Sequence, residues 1–451
     1  MTNTATREST LIARLEAVPS SIWHIRARIV MGSATFFDAF NALSIAFVLP
    51  ILVRDWHISA PQIGVMIGAS YMGQFVGALV FSWAAERWGR VPCAAAATAI
   101  FAAMSLACAG ARDFDVLLIC RFIQGIGVGG EMPVAAVYIS ELSKARGRGR
   151  FFLLYEMIFP IGLMVTGQVG ALLVPVWGWK TMFLIGGLPG LIIAAMLLRL
   201  PESPRWLIGK GRLSDAERVI AGMEASARTS PAVVRGNPTP RPLPVRARGQ
   251  WSELLSPAYR GRTLIVWVLW ASAFLIANSL NNWMPTLYTT VYHLGLAEAL
   301  RAASMTNVAQ VALLLVAALL IDRTGRKYWM MGAFGTGAVL LGILAFGGTG
   351  NVSVVIVLST LSYGLIGSIA AVVYLYTPEI YPTRMRAIGT GVATSWLRAA
   401  SAIGPTLIGF MIGKGGVDSV FLMFAGVAVL GLIASTRMIE TRNMRLEDIA
   451  S

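Results

Sequence analysis

Glu86-Arg87-Trp88-Gly89-Arg90 and Asp322-Arg323-Thr324-Gly325-Arg326-Lys327 are one phrase written twice, 236 residues apart. A second phrase follows each copy. Tyr138-Ile139-Ser140-Glu141 with Arg146 and Arg148 returns 238 residues later as Tyr376-Thr377-Pro378-Glu379 with Arg384 and Arg386. Every copy stands at the end of a long apolar segment. A chain of 451 residues that repeats its charged loops once, at about half its length, is a duplicated membrane protein. Its halves face each other across an axis along the membrane normal.

Composition points the same way. Charged residues make up 13% of the chain, where a soluble domain carries about 25%. Mean hydropathy is +0.68. Apolar runs predict spans near 29–53, 62–84, 92–111, 115–140, 150–175, 180–199, 263–287, 302–321, 328–347, 352–376, 387–412 and 417–436. Each is long enough to cross a hydrocarbon core, which takes about 20 residues. The expected fold is therefore all-α: twelve transmembrane helices in two six-helix halves, 29–199 and 263–436. A tail (1–28), a connector (200–262) and a second tail (437–451) complete the chain. Within the connector, Gly211 to Ser226 fits a short amphipathic helix, Ser230 to Gly249 a Pro- and Arg-rich linker, and Trp251 to Leu255 a short helix leading back to the membrane.

The net charge of +15 is sorted by side. With both termini placed in the cytoplasm, most Lys and Arg fall in cytoplasmic segments, which is the positive-inside pattern. The basic charge then reports topology, and nucleic acid is not an expected partner. The expected location is the plasma (inner) membrane, multi-pass, with the lipid bilayer as surroundings. Met1 to Arg28 is polar, so no cleavable signal peptide is expected. No Gly-x-x-x-x-Gly-Lys-Ser/Thr phosphate loop occurs, which argues against ATP-driven work. His24, His57 and His293 fall outside the spans, and no nucleophile–base pair is evident. Neither an enzyme, a metal site nor a cofactor is therefore expected. Cys93, Cys108 and Cys120 lie in apolar stretches and read as free thiols.

An acid–Arg–x–Gly–Arg turn between two spans suits a moving junction. Gly89 and Gly325 allow a tight backbone. Glu86 and Asp322 can cap a helix start or pair with an arginine. Glu141 with Arg146 and Glu379 with Arg384 can complete each cluster. The expected gating set is Glu86, Arg87, Arg90, Glu141, Arg146, Asp322, Arg323, Arg326, Glu379 and Arg384, forming when the inner side closes and parting when it opens.

These loops resemble the signature loops of the major facilitator superfamily, after spans two and eight, although Ser82 stands where the family usually has Gly. Arg121-Phe122-Ile123-Gln124-Gly125-Ile126-Gly127-Val128-Gly129-Gly130 resembles its span-four motif. Pro201-Glu202-Ser203-Pro204-Arg205-Trp206-Leu207 is similar to the sequence after span six in sugar porters and in organic-ion and synaptic-vesicle-type relatives. Glu440-Thr441-Arg442 with Leu446-Glu447 is similar to the sugar-porter tail. The resemblance implies the major facilitator fold and a secondary transporter that works by alternating access.

Ionisable groups inside spans are costly and so are candidate site residues. Asp38 and Glu131 lie about 15 Å into their spans by helical rise. Arg398 is near the middle of the eleventh, Glu156 nearer the inner end of the fifth, and Arg121 nearer the outer end of the fourth. Asp38-Ala39-Phe40-Asn41 resembles the Asp-Gly-Phe-Asp of aromatic-acid/proton symporters, with Asn41 replacing the second acid. Gly129-Gly130-Glu131-Met132-Pro133 resembles organic-ion and niacin-type transporters. Arg398 resembles the span-eleven Arg of organic-anion transporters. Physically, a guanidinium in a low-dielectric cavity needs a carboxylate. That carboxylate is either the substrate's or an internal one such as Asp38 or Glu131. Asn278, Asn281, Asn282 and Trp283, with Tyr155, Tyr363, Tyr374 and Trp396, complete the expected pocket. Asp38 and Glu131 are the expected proton carriers. The expectation is a monomer that takes up a small organic anion such as nicotinate with protons. A sugar, polyol or organic-cation transporter and a non-transporting sensor are the alternatives.

Overall fold

The computed structural model describes residues 2–19, 21–142, 157–228, 251–347, 350–382 and 385–442. Arg146, Arg148, Tyr155, Glu156, Arg384 and the Pro-rich linker lie outside them, as do the side chains of Asp322 and Arg386. The first half consists of α2 (Ile22–Trp56), α3 (Ala60–Trp88), α4 (Arg90–Ala109), α5 (Phe114–Leu142), α6 (Ile158–Trp177) and α7 (Lys180–Leu197). It is preceded by α1 (Thr2–Ala17) and followed by α8 (Pro204–Gly209) and α9 (Leu213–Arg228). A 3-10 turn (Trp251–Leu255) leads into α10 (Arg260–Thr290), α11 (Leu296–Thr324), α12 (Arg326–Ala345), α13 (Val352–Glu379) and α14 (Arg386–Thr436).

The last helix has 51 residues and breaks at Gly416, where φ is 68° and ψ −175°. At about 1.5 Å per residue it is twice as long as a bilayer crossing needs. It therefore holds spans eleven and twelve. With the ten other apolar spans this gives the twelve-span architecture. Of the connector elements, α9 and the 3-10 turn fall where the sequence placed them, and α8 is an addition to that reading. Helix ends follow local chemistry: α2 stops at His57, in the left-handed region at φ 52°, and α3 starts on a capping box in which Gln62 accepts from the Ser59 N–H at 2.9 Å. The glycines of span four work as close contacts between helices. Gly125 and Gly129 press on the α3 backbone at Ser70 and Gln74, and Gly73 and Gly77 of α3 press back on Phe122 and Ile126.

Contacts between halves gather on the side away from the termini. Gly64 and Gly68 of α3 meet Ala402, Pro405 and Thr406 of α14, and Gly409 meets Ala60 and Pro61. Asn282 Nδ2 donates to Tyr71 Oη at 3.1 Å, and Thr406 Oγ1 to Gly64 O at 3.3 Å. Further along that face of α3, toward the termini, Met72, Val76, Leu79 and Trp83 are exposed. The two halves are thus packed together at the far rim and leave this stripe uncovered at the terminal one.

The N-terminal tail carries a helix that its polar composition did not reveal. Leu11, Leu15 and Val18 are buried in one cluster with Ala216, Ile220 and Met223 of α9 and Trp206 and Leu207 of α8. Arg14 clamps Glu224 through Nε to Oε1 at 3.0 Å and Nη2 to Oε2 at 2.9 Å. The hydrogen bond to Glu224 holds the Arg14 guanidinium above its ordinary pKa. Arg205 reaches Glu16 at 3.1 Å. Reversing one partner, Arg14→Glu or Glu224→Arg, should loosen this helix. The double swap should restore it, with a coupling of about 1 kcal/mol as expected for a half-exposed pair. Thermal unfolding of the purified variants measures it, and absence of rescue rules out this pairing.

Candidate substrate and gating sites

The middle of the membrane holds three charged candidates. Asp38 is buried on α2 and its Oδ1 has no hydrogen-bond partner. Glu131, buried on α5, accepts from Thr35 Oγ1 at 3.0 Å and 3.4 Å through its two oxygens. Arg398, on α14, donates from Nη1 to Thr394 O at 3.3 Å, and its Nε is buried without a partner. Among the described residues no carboxylate lies within ion-pair distance of Arg398. Asp38 interacts electrostatically with both Glu131 and Arg398, and Tyr374 with Arg398. The cation and the two acids come from opposite halves and face one region.

The remaining candidates divide into those near that region and those committed elsewhere. Tyr374 packs edge-on against Trp270, with ring centroids 4.5 Å apart. Trp396 is two positions before Arg398, about 200° around the helix. It sits beside Trp267 at 5.5 Å and is half-exposed, so it points away from the side that Arg398 occupies. Asn41 is saturated: its Nδ2 donates to Phe37 O and Gly186 O, and its Oδ1 accepts from Gln124. Its main-chain oxygen accepts from Arg121 at 3.0 Å. Asn281 donates to Asn307 and Tyr363, and Tyr363 to Gln310 at 2.8 Å. Asn278 donates to Ser401 at 2.6 Å, and the Trp283 ring N–H to Pro405 O at 3.1 Å. These amides and Trp283 form a polar layer inside the membrane whose hydrogen bonds are made largely within the protein. Asn307 and Gln310, the added members of that layer, carried no sequence signal beyond being amides in an apolar span.

The duplicated loops build two matching clusters. In the first half, Arg90 donates to Glu141 at 3.1 Å, to Glu86 at 2.8 Å and to Ala85 O at 2.8 Å. In the second, Arg326 donates to Glu379 at 3.2 Å. Two acids that the sequence reading left out of the gating set complete them. Glu202 accepts from the Val91 N–H at 3.2 Å, and Glu440 from the Arg326 and Lys327 N–H groups at 3.0 Å each. Each carboxylate thus caps the positive start of the following helix. Gly89 (φ 114°) and Gly325 (φ 89°) are held in the left-handed half of the map, and a Cβ on either would strike that same carboxylate. The tyrosines follow suit: Tyr138 Oη donates to Pro201 O at 2.8 Å, and Tyr376 Oη accepts from the Ile439 N–H at 3.2 Å. Burial pushes the Glu202 carboxyl above the usual range, opposed by backbone N–H groups and Arg90. Arg87 and Arg323 are exposed, with Arg87 lying over the Trp83 ring. No pair named here joins one half to the other.

Twelve spans in two matched halves, charged groups at mid-membrane and paired clusters on the terminal side define a secondary transporter of the major facilitator type. The chain belongs to the sugar (and other) transporter family, whose sequence profile matches residues 19–451. It is a family of transporters, not of enzymes. The niacin transporter NiaP of Acinetobacter baylyi is 30% identical over 447 residues, covering 97% of this chain and 99% of that one. The 4-hydroxybenzoate transporter PcaK of Pseudomonas aeruginosa is 32% identical over 276 residues, 61% of each chain. Among solved structures, the partially occluded inward-open xylose transporter XylE from E. coli superposes with a TM-score of 0.71 at 20% identity, covering 94% of this chain and all of that one.

Proposed function

We propose that this protein takes up a small organic monoanion with a planar ring, of the nicotinate or hydroxybenzoate class, together with protons. The observation that carries the reading is Arg398: a guanidinium at mid-membrane, with an unpartnered Nε and no carboxylate pair among the described residues. An unpaired buried charge is strongly unfavourable, and a bound carboxylate supplies both the charge and the fork geometry it lacks. Tyr374, which interacts with Arg398, supplies an aromatic ring beside it. The niacin and 4-hydroxybenzoate relatives support the same class. The paired asparagines speak less for a sugar, because the Asn281 and Asn282 side-chain N–H groups are already engaged with protein acceptors. A thermal-shift screen against small anions, cations and sugars, followed by flux in proteoliposomes, tests the reading. Stabilisation and uptake with a sugar and with no aromatic carboxylate would overturn it.

The same reading places the protein as a monomer in the plasma membrane with termini and connector in the cytoplasm. The basic residues on the side of both termini support that orientation. A cysteine introduced at Ser214, on α9, should react with an impermeant maleimide only after the membrane is opened. Labelling of intact cells at that position reverses the orientation.

A further inference from the structure

Asp38 and Glu131 are close in a way that their separation in sequence hides. Thr35 and Asp38 are three residues apart on α2, so they share one helix face with Cβ atoms about 5–6 Å apart. Glu131 is bound to that face, because both its oxygens lie within reach of the Thr35 hydroxyl, at 3.0 Å and 3.4 Å. The two carboxyls therefore sit within about one helical turn of each other. Asp38 leaves one oxygen unpartnered in a buried setting. From the other half, Arg398 interacts with Asp38.

We infer that Asp38 and Glu131 act as one proton-sharing pair, so that each monoanion bound at Arg398 brings in one proton and either acid alone suffices to carry it. The inference rests on the anion reading above. Its reason is charge balance. With both acids ionised, Asp38, Glu131 and Arg398 together carry one net negative charge, so a monoanion added to this dry site is strongly unfavourable unless a further positive charge compensates it. The groups around the site that can respond are few. Arg398 and Arg121 stay protonated in both states. Arg121 is in any case held by Asn41 O, Ala42 O, Ser70 and Gln124. Tyr374, Tyr363 and Tyr71 have no proton to gain as neutral phenols. Among the described residues that leaves the two carboxylates. Two acids so placed repel when both are ionised, and the pair takes up its proton as a unit. The step is COO⁻ + H⁺ → COOH on one of them, with no bond change in the substrate.

Proton uptake on binding makes anion affinity rise as pH falls. The experiment is calorimetry of nicotinate and benzoate binding to the purified full chain, in buffers of different ionisation enthalpy and over a pH series. The wild type should take up about one proton per anion, with Kd weakening about tenfold per pH unit while the receiving acid is ionised. Asp38→Asn and Glu131→Gln should each still take up about one. The double variant should bind with no proton uptake and a flat pH profile. Glu298→Gln, at an exposed position near the start of α11, is the control and should behave as wild type. Zero or two protons in the wild type, loss of uptake in either single variant, or uptake retained in the double variant would overturn the inference while leaving anion binding standing. If neither anion binds the wild type, the anion reading itself fails. Should the double variant not fold, the single variants decide.

Discussion

Arg398→Ala should bind nicotinate at least about tenfold more weakly than the wild type, a loss of roughly 1.4 kcal/mol or more. The substituted site would present two acids and no cation to an incoming carboxylate. Arg398→Lys should recover part of the loss. It keeps the charge and loses the planar fork, so its Kd should fall between the two. The rival possibility is that Arg398 serves Asp38 as an internal counter-ion. The two interact electrostatically across the halves but are not within ion-pair distance. If pairing in another state were the whole role, removing Arg398 would mainly lower the thermal midpoint and leave the anion affinity of the folded protein unchanged. Midpoint and Kd measured on the same preparation separate the two. Unchanged affinity in folded Arg398→Ala removes the main ground for an organic anion as substrate.

How much of this was legible beforehand depends on the kind of signal. The spans were, because continuous apolar runs have one meaning at this length. So was the membership of the two loop clusters, since duplication points to both copies at once; the partners were not, because Glu141 and Glu379 were grouped with Arg146 and Arg384, outside the described residues, and pair with Arg90 and Arg326. Glu202 and Glu440 were not assigned, although they too stand 238 residues apart, the same interval that separates Glu141 from Glu379. Extending the repeat past span six to the end of span twelve would have found them. The pocket was less legible. Polarity inside a span marks a residue as special without saying who satisfies it. Asn41 and Asn281 turn out to spend their amides on neighbours, while Asp38 and Arg398 keep unpartnered atoms. Trp396 could have been separated from Arg398 by helical angle alone. The helix α1 stayed hidden because its apolar residues are few and their partner, α9, is about 200 positions away, a pairing only the fold supplies.

Replacing Arg90 or Arg326 with Met should slow transport sharply and lower the thermal midpoint, yet leave the equilibrium Kd for the anion unchanged. Arg90 is 7% exposed and its partner Glu141 17%; Arg326 and Glu379 stand at 13% and 17%. Removing one member of so buried a pair leaves a carboxylate without its cation, which destabilises by about 3–5 kcal/mol at full burial and less here, where some water reaches the acid. Glu86, at 71% exposure, is a minor partner, and Glu86→Gln should do far less. The expected effect on turnover follows from position. Arg90 opens α4 and binds the end of α5, while Glu202 ties the same helix start to the connector. Arg326 repeats this with α13, and Glu440 with the C-terminal segment. Each cluster makes the terminal end of its half one rigid piece, so the halves can rock as bodies. Loosening a piece changes the balance and the rate between states but touches no atom of the pocket. Glu202→Gln and Glu440→Gln, which keep an oxygen for the helix start and lose the charge, should give the milder form of the same defect. A matched fall in affinity and turnover for Arg90→Met would mean that the cluster shapes the binding site itself, and the rigid-body role would be wrong.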